Sequence, residues 1–177
     1  MTTDQKGNIA EAAIALAAAK LDVDVYRPVF EGGRCDLLLD LGHRLLRVQC
    51  KWAAQYGDVI LVRCYSSRRS FGGRLVTRRY TTDEVDAFAA YSMELDRCFL
   101  LPPQLWENRR LVQLRTAPTR NNQARRIHWA DDYDFAGRLR ALGAVAQLGE
   151  RLAGSQKATG SSPVGSTTPA APPPSLW

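Results

Sequence analysis

The chain has 177 residues, 45% of them hydrophobic and 24% charged. That balance belongs to a soluble globular chain of about one domain and excludes a wholly disordered protein, a collagen and a coiled-coil rod. Twenty-four basic against eighteen acidic residues leave a net charge of +6, and twenty of the basic residues are arginine. Such a balance favours a polyanionic partner, although a GC-rich genome also inflates arginine, so the positions of the arginines have to decide.

No apolar stretch approaches the ~18–20 residues of a membrane-spanning helix. The polar start Met1-Thr-Thr-Asp-Gln is not a secretory signal, so a cytoplasmic protein without membrane association is expected. Cys35, Cys50, Cys64 and Cys98 have no C-x-x-C spacing and are expected to be reduced thiols.

In chain order, residues 4–21 read as a helix, because Ile9 to Ala19 contains only Ala, Ile and Leu apart from Glu11. Val23 to Phe30, with Pro28, suits an edge strand. Residues 35–41 and 45–51 read as two strands of a hairpin turning at Gly42-His43, and Val59 to Cys64 as a third strand. Ser66 to Arg79 is polar and arginine-rich, with a hairpin tip at Phe71-Gly72-Gly73.

Thr81-x-x-Glu84 is a capping-box signature, and Val85, Phe88 and Ala89 behind it predict a helix to about Leu95. Short strands are expected at 97–101 and 111–115, irregular basic chain at 116–132, and an amphipathic helix from about Tyr133. From Gly154 onward Gly, Ser, Thr, Pro and Ala dominate, a composition that cannot bury enough apolar surface to fold. The order of elements implies an α+β or α/β domain with a mixed central sheet flanked by helices. The domain is expected over 1–143, with a disordered tail at 144–177.

Glu11 stands alone among apolar neighbours, and burying a lone carboxylate costs several kcal/mol or more, so it calls for a metal, a cation or a proton. On the hairpin, a turn centred near residue 43 sets Asp36 roughly opposite Lys51. Gln49 and Lys51 share one face of their strand, while Val48 and Cys50 point away. Asp36, the Gln49 amide oxygen, the Cys50 carbonyl and Glu11 form an oxygen set suited to a hard divalent cation. Lys51 beside it could stabilise phosphate charge or help deprotonate a water. An ordinary cross-strand ion pair between Asp36 and Lys51 is the simpler alternative.

The arginines cluster. Between Asp58 and Asp83 there is no acid, yet Arg63, Arg68, Arg69, Arg74, Arg78 and Arg79 fall there. Between Glu107 and Asp131 there is again none, and Arg109, Arg110, Arg115, Arg120, Arg125 and Arg126 fall there. A compositional bias would scatter them, so these windows point to nucleic acid. A strand-turn-strand bearing arginines can lie in the major groove, where arginine pairs bidentately with guanine. Asn121, Asn122 and Gln123 suit adenine edges or phosphates. His43 and His128 are too isolated for a zinc site.

Five phrases in this order resemble the PD-(D/E)XK nucleases, and more closely the bacterial homing endonucleases of group I introns within them. They are G-N-I-A-E-A (7–12), R-C-D-L-L-L-D (34–40), R-V-Q-C-K-W (47–52), Y-T-T-D-E-V-D-A-F-A-A-Y (80–91) and L-R-T-A-P-T-R-N-N-Q (114–123). The resemblance implies a restriction-endonuclease-like core with Glu11, Asp36, Gln49 and Lys51 as the active-site residues and Mg²⁺ as the ion. Gln49 stands where the family usually has an acid, and Cys35 where the proline of its name would stand.

The function expected is metal-dependent, site-specific cleavage of double-stranded DNA. Two strands and one site per chain imply a homo-oligomer, dimer or tetramer. A Holliday-junction resolvase, a restriction enzyme and a catalytically dead DNA-binding module are the alternatives. Ala146-Gln-Leu-Gly-Glu-Arg and Gly160-Ser-Ser-Pro-Val further resemble translations of the two arms of a tRNA gene, which makes the residues beyond about 143 expected passengers.

Overall fold

The computed structural model describes residues 1–30, 32–118 and 125–143. The expected tail and the candidate contacts Arg120, Asn121, Asn122 and Gln123 lie outside the described residues. The first helix, α1, runs Thr3–Ala19. It opens on a capping box, in which Thr2 Oγ1 accepts from the Gln5 amide at 3.2 Å and Gln5 Oε1 accepts from the Thr2 amide at 2.8 Å. Ala10, Ile14 and Ala18, four residues apart, form its buried stripe.

Strands β1 (Asp24–Tyr26), β2 (Leu37–Asp40) and β3 (Leu45–Tyr56) follow, then β4 (Val59–Arg63), β5 (Tyr65–Arg69) and β6 (Leu75–Arg79). The chain continues through β7 (Ala87–Ser92), β8 (Arg97–Leu101), the short helix α2 (Pro103–Trp106) and β9 (Leu111–Arg115). A 3₁₀ turn at Asp131–Tyr133 leads into helical residues 135–143. All four cysteines are free thiols, and among the described residues no helix is long and apolar enough to cross a membrane.

Strand β3 organises the sheet. Its first half pairs with β2 antiparallel and with β7 parallel, and its second half pairs with β4, which in turn pairs with β9. The β3–β7 pairing is parallel and the other strand pairs are antiparallel, giving a mixed seven-stranded sheet. One face packs Leu37, Leu39, Val48, Cys50, Ala87 and Ala89 against α1 and against Phe135 and Leu139. The other packs Ala53, Ile60, Val62, Phe88, Phe99 and Leu101 against Trp106, Val112 and Leu114. Strands β5 and β6 form a separate two-stranded ribbon, closed at its tip by a Ser70–Arg74 backbone bond of 2.8 Å.

Two expectations are corrected here. Residues 81–86 make only one turn, with Glu84 and Val85 amides on the Thr81 carbonyl at 3.1 Å, and the chain then enters the sheet as β7 instead of continuing as a helix. All six residues of β7 are buried because both faces of this parallel strand are covered, and such a strand shows no alternation to distinguish it from a buried helix. The hairpin register also differs by two residues. Leu41 and Arg44 close a two-residue loop in which Gly42 adopts φ +81°, a conformation that glycine takes without steric cost. Asp40 therefore pairs with Leu45 and Leu37 with Val48, and continuing that register sets Asp36 across from Gln49 rather than Lys51.

Candidate active site

Asp36 immediately precedes β2 and is tied to β3 by its amide on the Val48 carbonyl at 2.9 Å. Its Oδ2 accepts from the Cys50 backbone amide at 2.8 Å and from Gln49 Nε2. Burial raises the pKa of this carboxyl above the ordinary aspartate value, against the Cys50 amide, the Lys51 charge and Gln49, which all favour the carboxylate.

Gln49 is 6% exposed. Its Nε2 lies 3.4 Å from the Cys50 carbonyl as well as bonding Asp36, so a carboxylate and a backbone carbonyl converge on one point. Among the described residues nothing hydrogen-bonds its buried Oε1. Turning the amide over would bring Oε1 against Asp36 Oδ2, and that is favourable only with a cation or a proton between the two oxygens. Asp36, Gln49 and the Cys50 carbonyl thus fit a hard, oxygen-seeking cation. The fit does not rest on an acidic cluster: among the described residues no group of three or more His, Cys, Asp and Glu is placed to hold a metal.

Lys51, on the same face of β3, directs Nζ to the Tyr80 hydroxyl at 3.2 Å and lies 4.7 Å from the centroid of that ring and 5.9 Å from that of Phe88. Burial lowers its pKa, with Asp36 pulling the other way. Tyr80 is itself buried, packed edge-on against Phe88 at 5.2 Å, and its pKa is pushed up to about 12 by desolvation, so it remains a neutral phenol.

Glu11 is not fully buried, contrary to expectation. It comes from α1, which packs on the face of β3 opposite Gln49 and Lys51, and its charge contributes to holding the Cys50 thiol well above the usual range, after burial and Asp36. The structure therefore brings Asp36, Gln49, Cys50 and Lys51 together, and the charge of Glu11 on α1 reaches the Cys50 thiol among them.

Three residues that sequence reasoning missed complete the surroundings. Arg34 stacks 3.8 Å from the Tyr80 ring centroid and donates to Ser66 Oγ at 2.9 Å, to the Arg79 carbonyl, and to Glu84 Oε2 at 3.0 Å. Glu84 also holds Arg78 and the Thr81 amide. These contacts, with the Arg34 hydrogen bond first among the favourable ones, lower its pKa despite burial. Tyr80 and Arg34 carry no spacing signal, and the spacing of Glu84 from Thr81 is that of a helix cap.

Of the candidate DNA contacts, Arg63, Arg68, Arg69, Arg74, Arg78 and Arg79 are exposed on β4 and the β5–β6 ribbon. Arg115 and Arg126 line one open groove with Arg109, Gln113 and His128, and Arg125 is exposed beside it. His128 sits 3.3 Å from Arg109 and 3.2 Å from the Tyr133 hydroxyl, and burial and the Arg109 charge lower its pKa.

Residues 1–136 match the family model described as PD-(D/E)XK endonuclease, and the chain belongs to that family. It is thereby placed among hydrolases acting on DNA, a family whose members generally use divalent metal ions. The chain also resembles the solved structure of a bacterial homing endonuclease, I-Ssp6803I, with a TM-score of 0.67 and 24% sequence identity over 83% of this chain and 98% of that one. At that identity the likeness shows the fold. No curated protein matches the chain.

Proposed function

We propose that the chain is a Mg²⁺-dependent, site-specific endonuclease of duplex DNA, of the group I intron homing type, acting through Glu11, Asp36, Gln49 and Lys51 with the Cys50 carbonyl as a further ligand. The observation that carries this reading is the buried, unpartnered Gln49 Oε1 beside a carboxylate and a carbonyl that converge on one point. Asp36 Oδ2, Gln49 Oε1 and the Cys50 carbonyl would hold the ion, which when bound supplies Lewis-acid charge and lowers the pKa of its water. Gln49 in place of an acid removes one negative charge, so the ion binds more weakly than in an all-carboxylate set.

The reaction is hydrolysis. A water oxygen bonds to phosphorus, the P–O3′ bond breaks in line, and the products are a 5′-phosphate and a 3′-hydroxyl. The Lys51 ammonium offsets charge growing on the phosphoryl oxygens, and Tyr80, accepting from Nζ, fixes where that charge sits. The apolar floor of Phe88 keeps bulk water from screening it.

The exposed arginines of β4, of the ribbon and of the groove beside β9 grip the duplex, as Arg120, Asn121, Asn122 and Gln123 do in the same reading. Cutting both strands takes at least two copies, as a dimer or tetramer. The resemblance of residues 146–164 to a translated tRNA gene makes that gene the first target to try. Incubation of an uninterrupted tRNA-gene duplex and of a four-way junction with Mg²⁺ tests the reading: discrete duplex cuts support it. Cutting of the junction alone would make the chain a resolvase, and cutting of neither would contradict nuclease action on both.

A further inference from the structure

The ribbon register sorts its arginines. Tyr65 pairs with Arg79, Ser66 with Arg78, Ser67 with Thr77, Arg68 with Val76 and Arg69 with Leu75. Residues directly opposite share a face and neighbours along a strand alternate. One face thus carries Ser66, Arg68, Val76 and Arg78, and the other Tyr65, Ser67, Arg69, Leu75, Thr77 and Arg79.

Only the first face runs into the candidate active site. Ser66 Oγ accepts from Arg34 at 2.9 Å, Arg34 lies over Tyr80 at 3.8 Å, and the Tyr80 hydroxyl is 3.2 Å from Lys51 Nζ. Arg78 closes the same surface through Glu84, which it shares with Arg34. The second face begins at Tyr65, whose ring carries Arg110 at 5.1 Å, and so leads toward β9 instead.

We propose that the face bearing Ser66, Arg68, Val76 and Arg78 is the one laid against the duplex, with Arg68 and Val76 reading base edges and Arg78 holding a phosphate. The proposal rests on the endonuclease reading above, since it takes the scissile phosphate to lie at Lys51. Two strand positions beyond Ser66 advance the ribbon by only ~7 Å, so Arg68 falls in the groove flanking that phosphate. A two-stranded ribbon fits the major groove. Arg68 and Val76 stand side by side, a bidentate donor next to an aliphatic group, which matches a guanine edge beside a thymine methyl. Arg78 already has an anionic partner in Glu84 and can exchange it for a phosphate.

Arg68 and Arg69 are adjacent, equally charged and both exposed, and differ in face. The test selects binders of the full chain, in EDTA, from a pool of duplexes with a randomised core. The wild type enriches one site. Arg68→Ala flattens the preference at one or two adjacent positions and weakens binding to the enriched site about ten- to a hundredfold. Arg69→Ala keeps the wild-type preference.

Replacing thymine by uracil beside the read guanine weakens the wild type, and Val76→Ala is indifferent to that change. Loss of preference in Arg69→Ala with Arg68→Ala unchanged, or no change in either, overturns the face assignment. A wild type that enriches nothing overturns sequence-specific recognition itself, and with it the proposal, whatever its cleavage activity.

Discussion

The Lys51 ammonium rests 3.2 Å from the hydroxyl of Tyr80, a residue that β6 delivers to the site from twenty-nine positions along the chain. The hydroxyl oxygen accepts from the ammonium and so favours its charged form, against the burial that lowers the Lys51 pKa.

Tyr80→Phe removes that acceptor and keeps the ring. The Lys51 pKa then falls further, the ammonium is lost at lower pH, and the alkaline limb of the cleavage profile moves to lower pH, with about a tenfold lower rate at the wild-type optimum. Single-turnover rates across pH check this. An unmoved limb would separate Tyr80 from the function of Lys51.

Gln49→Glu sets a second carboxylate against Asp36 Oδ2, where the amide now donates. Burial already raises the Asp36 pKa, and a like charge raises it more, so without metal the pair holds a proton to higher pH. Above that pH the added charge tightens cation binding, and the Mg²⁺ needed for half-maximal cleavage drops severalfold. Calcium titration calorimetry at two pH values reads both effects: tighter binding at the higher pH, and a weaker advantage at the lower. Equal calcium affinity in both proteins would remove position 49 from the ion site.

Much of this site was legible beforehand, because the residues that build it lie on a hairpin. The apolar runs at 35–41 and 45–51 around Gly42-His43 gave both strands, and alternation gave the shared face of Gln49 and Lys51. What failed was nonlocal. The span 87–92 lies buried between two layers, so its periodicity carries no information. Glu84 does accept from the Thr81 amide at 3.2 Å, as a helix cap would, yet it also holds Arg78 at the end of β6 and Arg34, which comes from far along the chain. The partial exposure of Glu11 has no sequence signal, because small residues such as Ala12 and Ala19 also face outward on α1.

Glu84→Gln tests the link between ribbon and core. Arg34 and Arg78 lose their shared carboxylate, and since Arg78 is largely exposed the cost falls mainly on the Arg34 side, about 1–2 kcal/mol. Urea unfolding reads that loss. Arg78 then reaches phosphate without first giving up Glu84, so DNA binding at low salt tightens a fewfold. An unchanged affinity would show that Arg78 does not reach the duplex.

In the proposed mechanism Lys51, beside an ion held by Asp36, Gln49 and the Cys50 carbonyl, carries the chemistry and not the grip on DNA. The most direct measurement compares wild type with Lys51→Ala on one labelled duplex target, following binding in EDTA and cleavage in Mg²⁺. Near-equal binding is expected, with discrete cuts by the wild type only with Mg²⁺ and a rate lower by about 10²-fold or more in the variant. A Lys51→Ala protein that still cuts at the wild-type rate, or a wild type that cuts equally well in EDTA, would contradict that mechanism.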